Sequence, residues 1–217
     1  MLENSTYWQQ LKQTARMQLI VLGGFIAFLW TLEIVDRFIF QGGLDGFGVR
    51  PRSIDGLFGI LFAPFLHGGF GHLMSNTIPL LVLGWFILST RKLSNFLMIS
   101  LITILIAGLG TWLIAPRATV HIGASGLVFG YFGFLLAIAY FERSLQAFVL
   151  AVVVIFMYGG MIFGVFPRND GISWQSHLFG FVGGGTAAYL LGRMPAPAPT
   201  LSVEDQIVIR SQDEEVI

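Results

Sequence analysis

The chain has no cysteine, which excludes disulfides, thiolate nucleophiles and cysteine-held zinc. Charged residues are scarce. They make up 11% of the 217 residues, less than half of the about 25% carried by an ordinary soluble domain. Neither sign dominates, because 12 Lys and Arg balance 12 Asp and Glu. The bulk basic field of a nucleic-acid binder is therefore missing.

What remains is apolar. Hydrophobic residues account for 55% of the chain and the mean hydropathy is +0.77. With 21 Phe and 27 Gly, the composition matches lipid-facing aromatics combined with close, glycine-mediated helix contacts. A membrane protein is the class that fits, and the length allows one domain.

A hydrocarbon layer about 30 Å thick takes about 20 apolar residues wound as a helix. Six segments meet or approach that length: 17–38, 71–90, 95–115, 125–141, 145–166 and 174–192. The expected architecture is an all-α membrane bundle of six transmembrane helices, with a polar N-terminal segment (1–16), a helical core (17–192) and a Pro/Ala linker with a polar, acidic tail (193–217). The first apolar run is too long for a signal-peptide core and lacks a small-residue cleavage site, so it is expected to stay in the protein.

The connection 39–70 is long. It is turn-rich at first, then apolar over 57–66 but too short to cross, which reads as an interfacial or re-entrant element. An N-terminus in the cytoplasm places Lys12, Arg16, Arg91, Lys92, Arg143 and Arg193 on that side. Arg50, Arg52, Arg117 and Arg168 then lie opposite, with Arg37 at a helix end. The modest excess favours both termini inside, and the expected location is a bacterial-type plasma membrane.

Polar side chains within a membrane are costly, so each needs a reason. Four stand out: His72 and Asn76 opening the second span, Ser125 opening the fourth, and His177 in the sixth. Alternating topology gathers these helix starts at one face. Ser125 sits in Gly123-Ala124-Ser125-Gly126, where a helix N-terminus offers unpaired N–H groups to a developing oxyanion. The 17 residues 125–141 span about 25 Å at about 1.5 Å each, which sets the serine below the membrane surface.

Gly180 and Gly184 put a small-residue face one turn beyond His177, allowing the sixth helix to approach the glycines Gly126, Gly130 and Gly133 closely. A neutral imidazole is the usual base for a serine. His72 and Asn76, at i and i+4, share a helix face and both donate hydrogen bonds. Taken singly, each residue also fits a helix-packing or helix-bridging role. No carboxylate lies in the runs that carry Ser125 and His177, so a Ser-His dyad is favoured over a triad. The G-x-S-x-G elbow is absent, because Leu127 stands where its second glycine belongs. His67 and His121 lie on the same side, but their spacing does not favour a metal site. No metal and no cofactor is expected.

His72-x-x-x-Asn76, Gly123-x-Ser125-Gly126 and His177-x-x-Gly180-x-x-x-Gly184, in this order over 17–192, resemble the rhomboid family of intramembrane serine proteases. The resemblance implies that Ser125 is the nucleophile, His177 its general base and acid, and His72 and Asn76 the oxyanion donors. Gly123, Gly126, Gly180 and Gly184 are then packing positions, and Phe129 takes the place of an aromatic that stacks on the histidine. It also implies that 57–66 is the family's first loop, lying sideways in the outer leaflet. The fifth helix and the loop 167–173 correspond to the region that gates substrate entry. Substrates would be transmembrane segments of other membrane proteins.

Two positions depart from the family pattern. Phe129 stands where a Tyr is frequent, which keeps the ring and loses the hydroxyl. Phe58-Gly59 stands where many members carry Trp-Arg, which leaves loop anchoring to other residues, with Gly56-Leu57-Phe58-Gly59 as a candidate. A rhomboid-like pseudoprotease that grips helices without cutting them is the alternative; it predicts a lost Ser or His, and both are present. A small transporter would call for mid-membrane carboxylates or broken-helix symmetry, and neither is found.

Overall fold

The computed structural model describes residues 12–167 and 171–192, together with Gln9. The tail and linker expected over 193–217, most of the segment 1–16 and part of the loop 167–173 lie outside the described residues. Among the described residues seven longer helical elements follow one another: α1 (Lys12–Phe40), α2 (Asp55–Phe65), α3 (Phe70–Thr90), α4 (Leu93–Ile114), α5 (Ser125–Glu142), α6 (Leu145–Val165) and α7 (Trp174–Gly192), with a short 3-10 turn, Gly43–Phe47, between the first two. Among the described residues there is no strand, only an isolated antiparallel bridge between Val49 and His121. The protein is an all-α membrane bundle, as its composition implies.

Five helices, α1 and α3 to α6, are long and apolar enough to cross a bilayer. The sixth expected span, α7, has 19 residues but is diluted by Gln175, Ser176, His177 and its glycines. Its position accounts for the dilution. α7 packs mainly on α5 and α4, and Gln175, His177, Gly180, Gly183, Gly184, Ala187 and Ala188 are buried. A helix sheltered by protein does not need the apolar surface that lipid demands of an exposed one.

The glycines make that shelter possible. A Cβ added at Gly180 would collide with the carbonyl of Gly126, and one at Gly184 with that of Gly130. The two backbones therefore touch over two turns, the close approach that small residues four apart permit. α5 is the most enclosed helix, with residues from Gly126 to Leu135 buried without interruption.

α1 is longer than the 17–38 read from hydropathy, and two stretches, Leu19–Gly23 and Asp36–Phe40, are wound as π-helix. It ends where Gln41 and Gly42 turn left-handed, at φ 56° and 83°. α2 is too short to cross, as its apolar length indicates, and buries Gly59, Ile60, Ala63 and Pro64 while Phe58, Leu61 and Phe62 are exposed.

The first loop is anchored without Trp-Arg. The Arg52 guanidinium donates to the carbonyls of Leu113 and Ala115, at 2.6 and 2.7 Å, closing the C-terminus of α4. The Arg52 N–H donates to the Trp112 carbonyl, and the Trp112 indole N–H returns a bond of 2.8 Å to the Ser53 carbonyl. Helix C-termini leave carbonyls unpaired and favour cations, so the arginine meets both needs. Gly56 and Gly59 lie against the backbone of Arg50 and of Gly48 and Val49, where no side chain fits.

Candidate active site

The G-A-S-G turn is held from below by the first loop. Gly123 has φ +112°, a conformation that L side chains rarely adopt, and a Cβ there would meet the His72 ring at 2.6 Å. Its N–H donates to the Ala63 carbonyl at 2.8 Å. The next N–H, of Ala124, donates to Nε2 of His67 at 3.3 Å. The first helical bond of α5 runs from the Val128 N–H to the Ala124 carbonyl. The N–H groups of Ser125, Gly126 and Leu127 are thus the first-turn donors that the helix itself does not use.

His67 is buried at 2% exposure. Burial first, and the neighbouring His72 second, push its pKa down to about 4. It is therefore neutral at ordinary pH, with Nε2 accepting from Ala124 and the ring proton on Nδ1 beside the Phe65 carbonyl. His121 is also held below its usual pKa by burial; its Nε2 lies 2.7 Å from the Thr119 hydroxyl, and its backbone pairs with Val49.

His72 and Asn76 rise from the first turns of α3. The Gly68 N–H points at His72 Nδ1 across 3.4 Å, so in the neutral ring the proton belongs on Nε2. Asn76 donates to the His72 carbonyl at 3.2 Å, which leaves its second amide proton for another acceptor.

His177 has the opposite tautomer. Its Nδ1 lies 3.1 Å from the Gly164 carbonyl. A carbonyl only accepts, so Nδ1 carries the proton and Nε2 keeps its lone pair. The ring lies flat on Phe129, with centroids 4.0 Å apart and planes 9° from parallel. Gly164 is the last but one residue of the 3-10 stretch Gly159–Val165 that closes α6, and a Cβ there would meet Phe129 at 2.6 Å and His177 Nδ1 at 3.3 Å.

Ser125, His177, His72, Asn76 and Phe129 line one open cavity of about 660 Å³, together with Pro79, Met161 and Ser173. The four polar residues singled out in the sequence are thus brought to one place. Gly126, Gly180 and Gly184 stand behind it as the α5–α7 contact, and Gly123 carries the turn. Sequence reasoning did not single out Gly164, whose signal is one glycine among many. It also weighed His67 only as a metal ligand. Among the described residues, no three His, Asp or Glu side chains are grouped to hold a metal ion.

A helical membrane bundle with a polar cavity lined by Ser125, His72, His177 and Asn76 among others defines a class, that of multi-span membrane proteins with a site sunk between their helices. Comparison with known proteins narrows it. The family model described as Rhomboid domain matches residues 55–194, more than half of the chain, and the protein belongs to the rhomboid family. An uncharacterized protein of Mycobacterium tuberculosis is 45% identical over 192 residues, covering 82% of this chain and 79% of the relative. An uncharacterized protein of Mycobacterium leprae is 42% identical over 175 residues, covering 77% and 68%. Rhomboid protease GluP of Bacillus subtilis is 30% identical over 163 residues, 71% of this chain but 31% of the relative. The chain is an integral membrane protein of a family that in general consists of intramembrane serine proteases.

Proposed function

We propose that the chain is an intramembrane serine endopeptidase that cleaves transmembrane segments of other membrane proteins through a Ser125–His177 dyad. The observation that carries this reading is the tautomer of His177. Its Nδ1 proton is committed to the Gly164 carbonyl, which puts the basic lone pair on Nε2 of a ring that lines the same cavity as Ser125. A backbone carbonyl here serves the orienting role that a carboxylate has in a triad.

Nε2 of His177 takes the Ser125 proton as Oγ attacks a substrate carbonyl. The tetrahedral oxyanion is met by the Ser125 N–H, the Asn76 amide and His72 Nε2–H, donors fixed before the charge develops. The protonated His177 then gives its proton to the leaving amine. A water, deprotonated by the same histidine, hydrolyses the acyl-enzyme and restores the serine. Amide bonds inside a stable helix are shielded, so substrate segments with small or helix-breaking residues are favoured.

The same reading treats 17–192 as the catalytic core. It places both termini on the cytoplasmic side of a bacterial-type plasma membrane, with Lys12, Arg16, Arg91, Lys92 and Arg143 at that face. A fluorophosphonate probe tests the nucleophile: labelling at Ser125, lost in both Ser125→Ala and His177→Ala, is expected. Labelling at another serine, or labelling undiminished in His177→Ala, would contradict the dyad.

A further inference from the structure

α1 precedes the family match, which begins at residue 55, and between its first half and α3 lies a second cavity. This groove holds about 410 Å³ and is open to the surface, within the about 300–1,000 Å³ of small-molecule sites. Its walls are apolar, including Ala15, Leu19 and Gly23 of α1 and Val82 and Trp85 of α3. Space is left because α1 lacks side chains here. A Cβ at Gly23 meets only Leu19, at 4.0 Å, and one at Gly24 meets nothing within 4 Å.

The one polar residue in the groove, Gln18, is already engaged. It is buried, donates to the Ser89 hydroxyl at 3.2 Å and accepts from the Trp85 indole at 2.9 Å. That second bond fixes Trp85 as a half-exposed wall. The groove therefore offers nothing to a polar ligand and suits a hydrocarbon chain.

The helix face beyond its lining, toward the start of α1, has a different character. Lys12 and Arg16 are four apart on the helix face of Ala15 and Leu19, one turn nearer the start of α1, and both are exposed. Among the described residues the ion pair is Arg91–Glu142, so no described carboxylate neutralises either cation. Arg16 and Gly23 are separated by about 10 Å of helix at about 1.5 Å per residue. Two cations at the polar end of an apolar channel match an amphiphile with an anionic head and a hydrocarbon tail.

We propose that the α1–α3 groove is a binding site for an anionic phospholipid, whose headgroup is held by Lys12 and Arg16 and whose acyl chain lies along Gly23 between Leu19 and Trp85. The bound lipid fills the seam between α1 and the catalytic bundle. A lysine or arginine near a headgroup contributes enough that removing one weakens binding about fivefold.

The test is native mass spectrometry of the full chain in detergent, titrated with dioleoyl phosphatidylglycerol or with dioleoyl phosphatidylcholine. The wild type is expected to retain phosphatidylglycerol preferentially. Lys12→Gln and Arg16→Gln should each weaken it about fivefold and leave phosphatidylcholine unchanged, and Gly23→Phe should displace both lipids. Arg143→Asn, at an exposed left-handed position that asparagine tolerates, should change nothing. The two charge variants sit on an exposed face and keep the test decisive if Gly23→Phe does not fold. Equal retention of the two lipids by the wild type, or a loss in Arg143→Asn as large as in Arg16→Gln, overturns the proposal.

Discussion

The Phe129 ring covers the His177 imidazole face to face at 4.0 Å, with 9° between the planes. Gly164 closes the other side of the arrangement by accepting from Nδ1. The imidazole is thus fixed both in plane and in rotation. An aromatic contact of this kind is worth about 0.5–1.5 kcal/mol beyond its buried area. Phe129→Leu, which keeps an apolar side chain and removes the stacking, is expected to lower kcat about 2- to 10-fold. Phe129→Tyr should keep the wild-type rate, because the ring is what holds the histidine. A rate in Phe129→Leu equal to the wild type, measured on a transmembrane reporter, would show that the stack does not position the base.

Asn76 keeps one amide proton after donating to the His72 carbonyl. Loss of one preorganised oxyanion donor costs about 10²–10³ in kcat in serine hydrolases. Asn76→Ala should fall in that range with KM little changed, because the interaction strengthens only as charge develops. A rise in KM at constant kcat would instead mean that Asn76 binds the ground state.

Arg52 and Trp112 stand in for the missing loop pair. Arg52 has φ +54°, so Arg52→Gly removes the guanidinium while easing the backbone. It should nevertheless destabilise the protein by about 1.5–3 kcal/mol, as loss of charge-assisted hydrogen bonds does. Trp112→Phe, which loses the bond to the Ser53 carbonyl, should cost about 0.5–1.5 kcal/mol. Denaturation in detergent monitored by loss of helix measures both, and a wild-type stability in Arg52→Gly would remove the anchor from the account.

His67 gives a pH dependence with a definite sign. Its pKa falls from the usual 6.5 to about 4 in the fold, chiefly through burial. The unfolded chain therefore binds more protons between those values. Stability from this group is complete above 6.5 and is lost as pH falls toward 4. His67→Gln keeps an acceptor for the Ala124 N–H without a titrating ring, so the difference in stability between wild type and variant should shift in the variant's favour across that window. A pH-independent difference would contradict the buried, neutral assignment.

Much of this was legible in the sequence because the membrane makes polar residues conspicuous. His72, Asn76, Ser125 and His177 stand out against apolar runs, and their helix ends alternate in a way that gathers them at one face. Gly180 and Gly184 read as a packing stripe and do pack, on Gly126 and Gly130. What sequence could not give depends on contacts between distant segments. Arg52 reaches α4 across more than sixty residues of chain, the Gly164 carbonyl acts through the backbone, which no side chain advertises, and His67 matters through Ala124. Hydropathy also measures exposure to lipid, so it under-reads α7, whose glycine face is buried against protein.

The most direct test of the central claim is cleavage of a generic transmembrane reporter by the purified protein in detergent, with Ser125→Ala and His177→Ala alongside. The account predicts cleavage by the wild type and none by either variant, with helix content and stability retained in all three. Cleavage by all three alike, or by none of them while each remains folded, would contradict a Ser125–His177 protease.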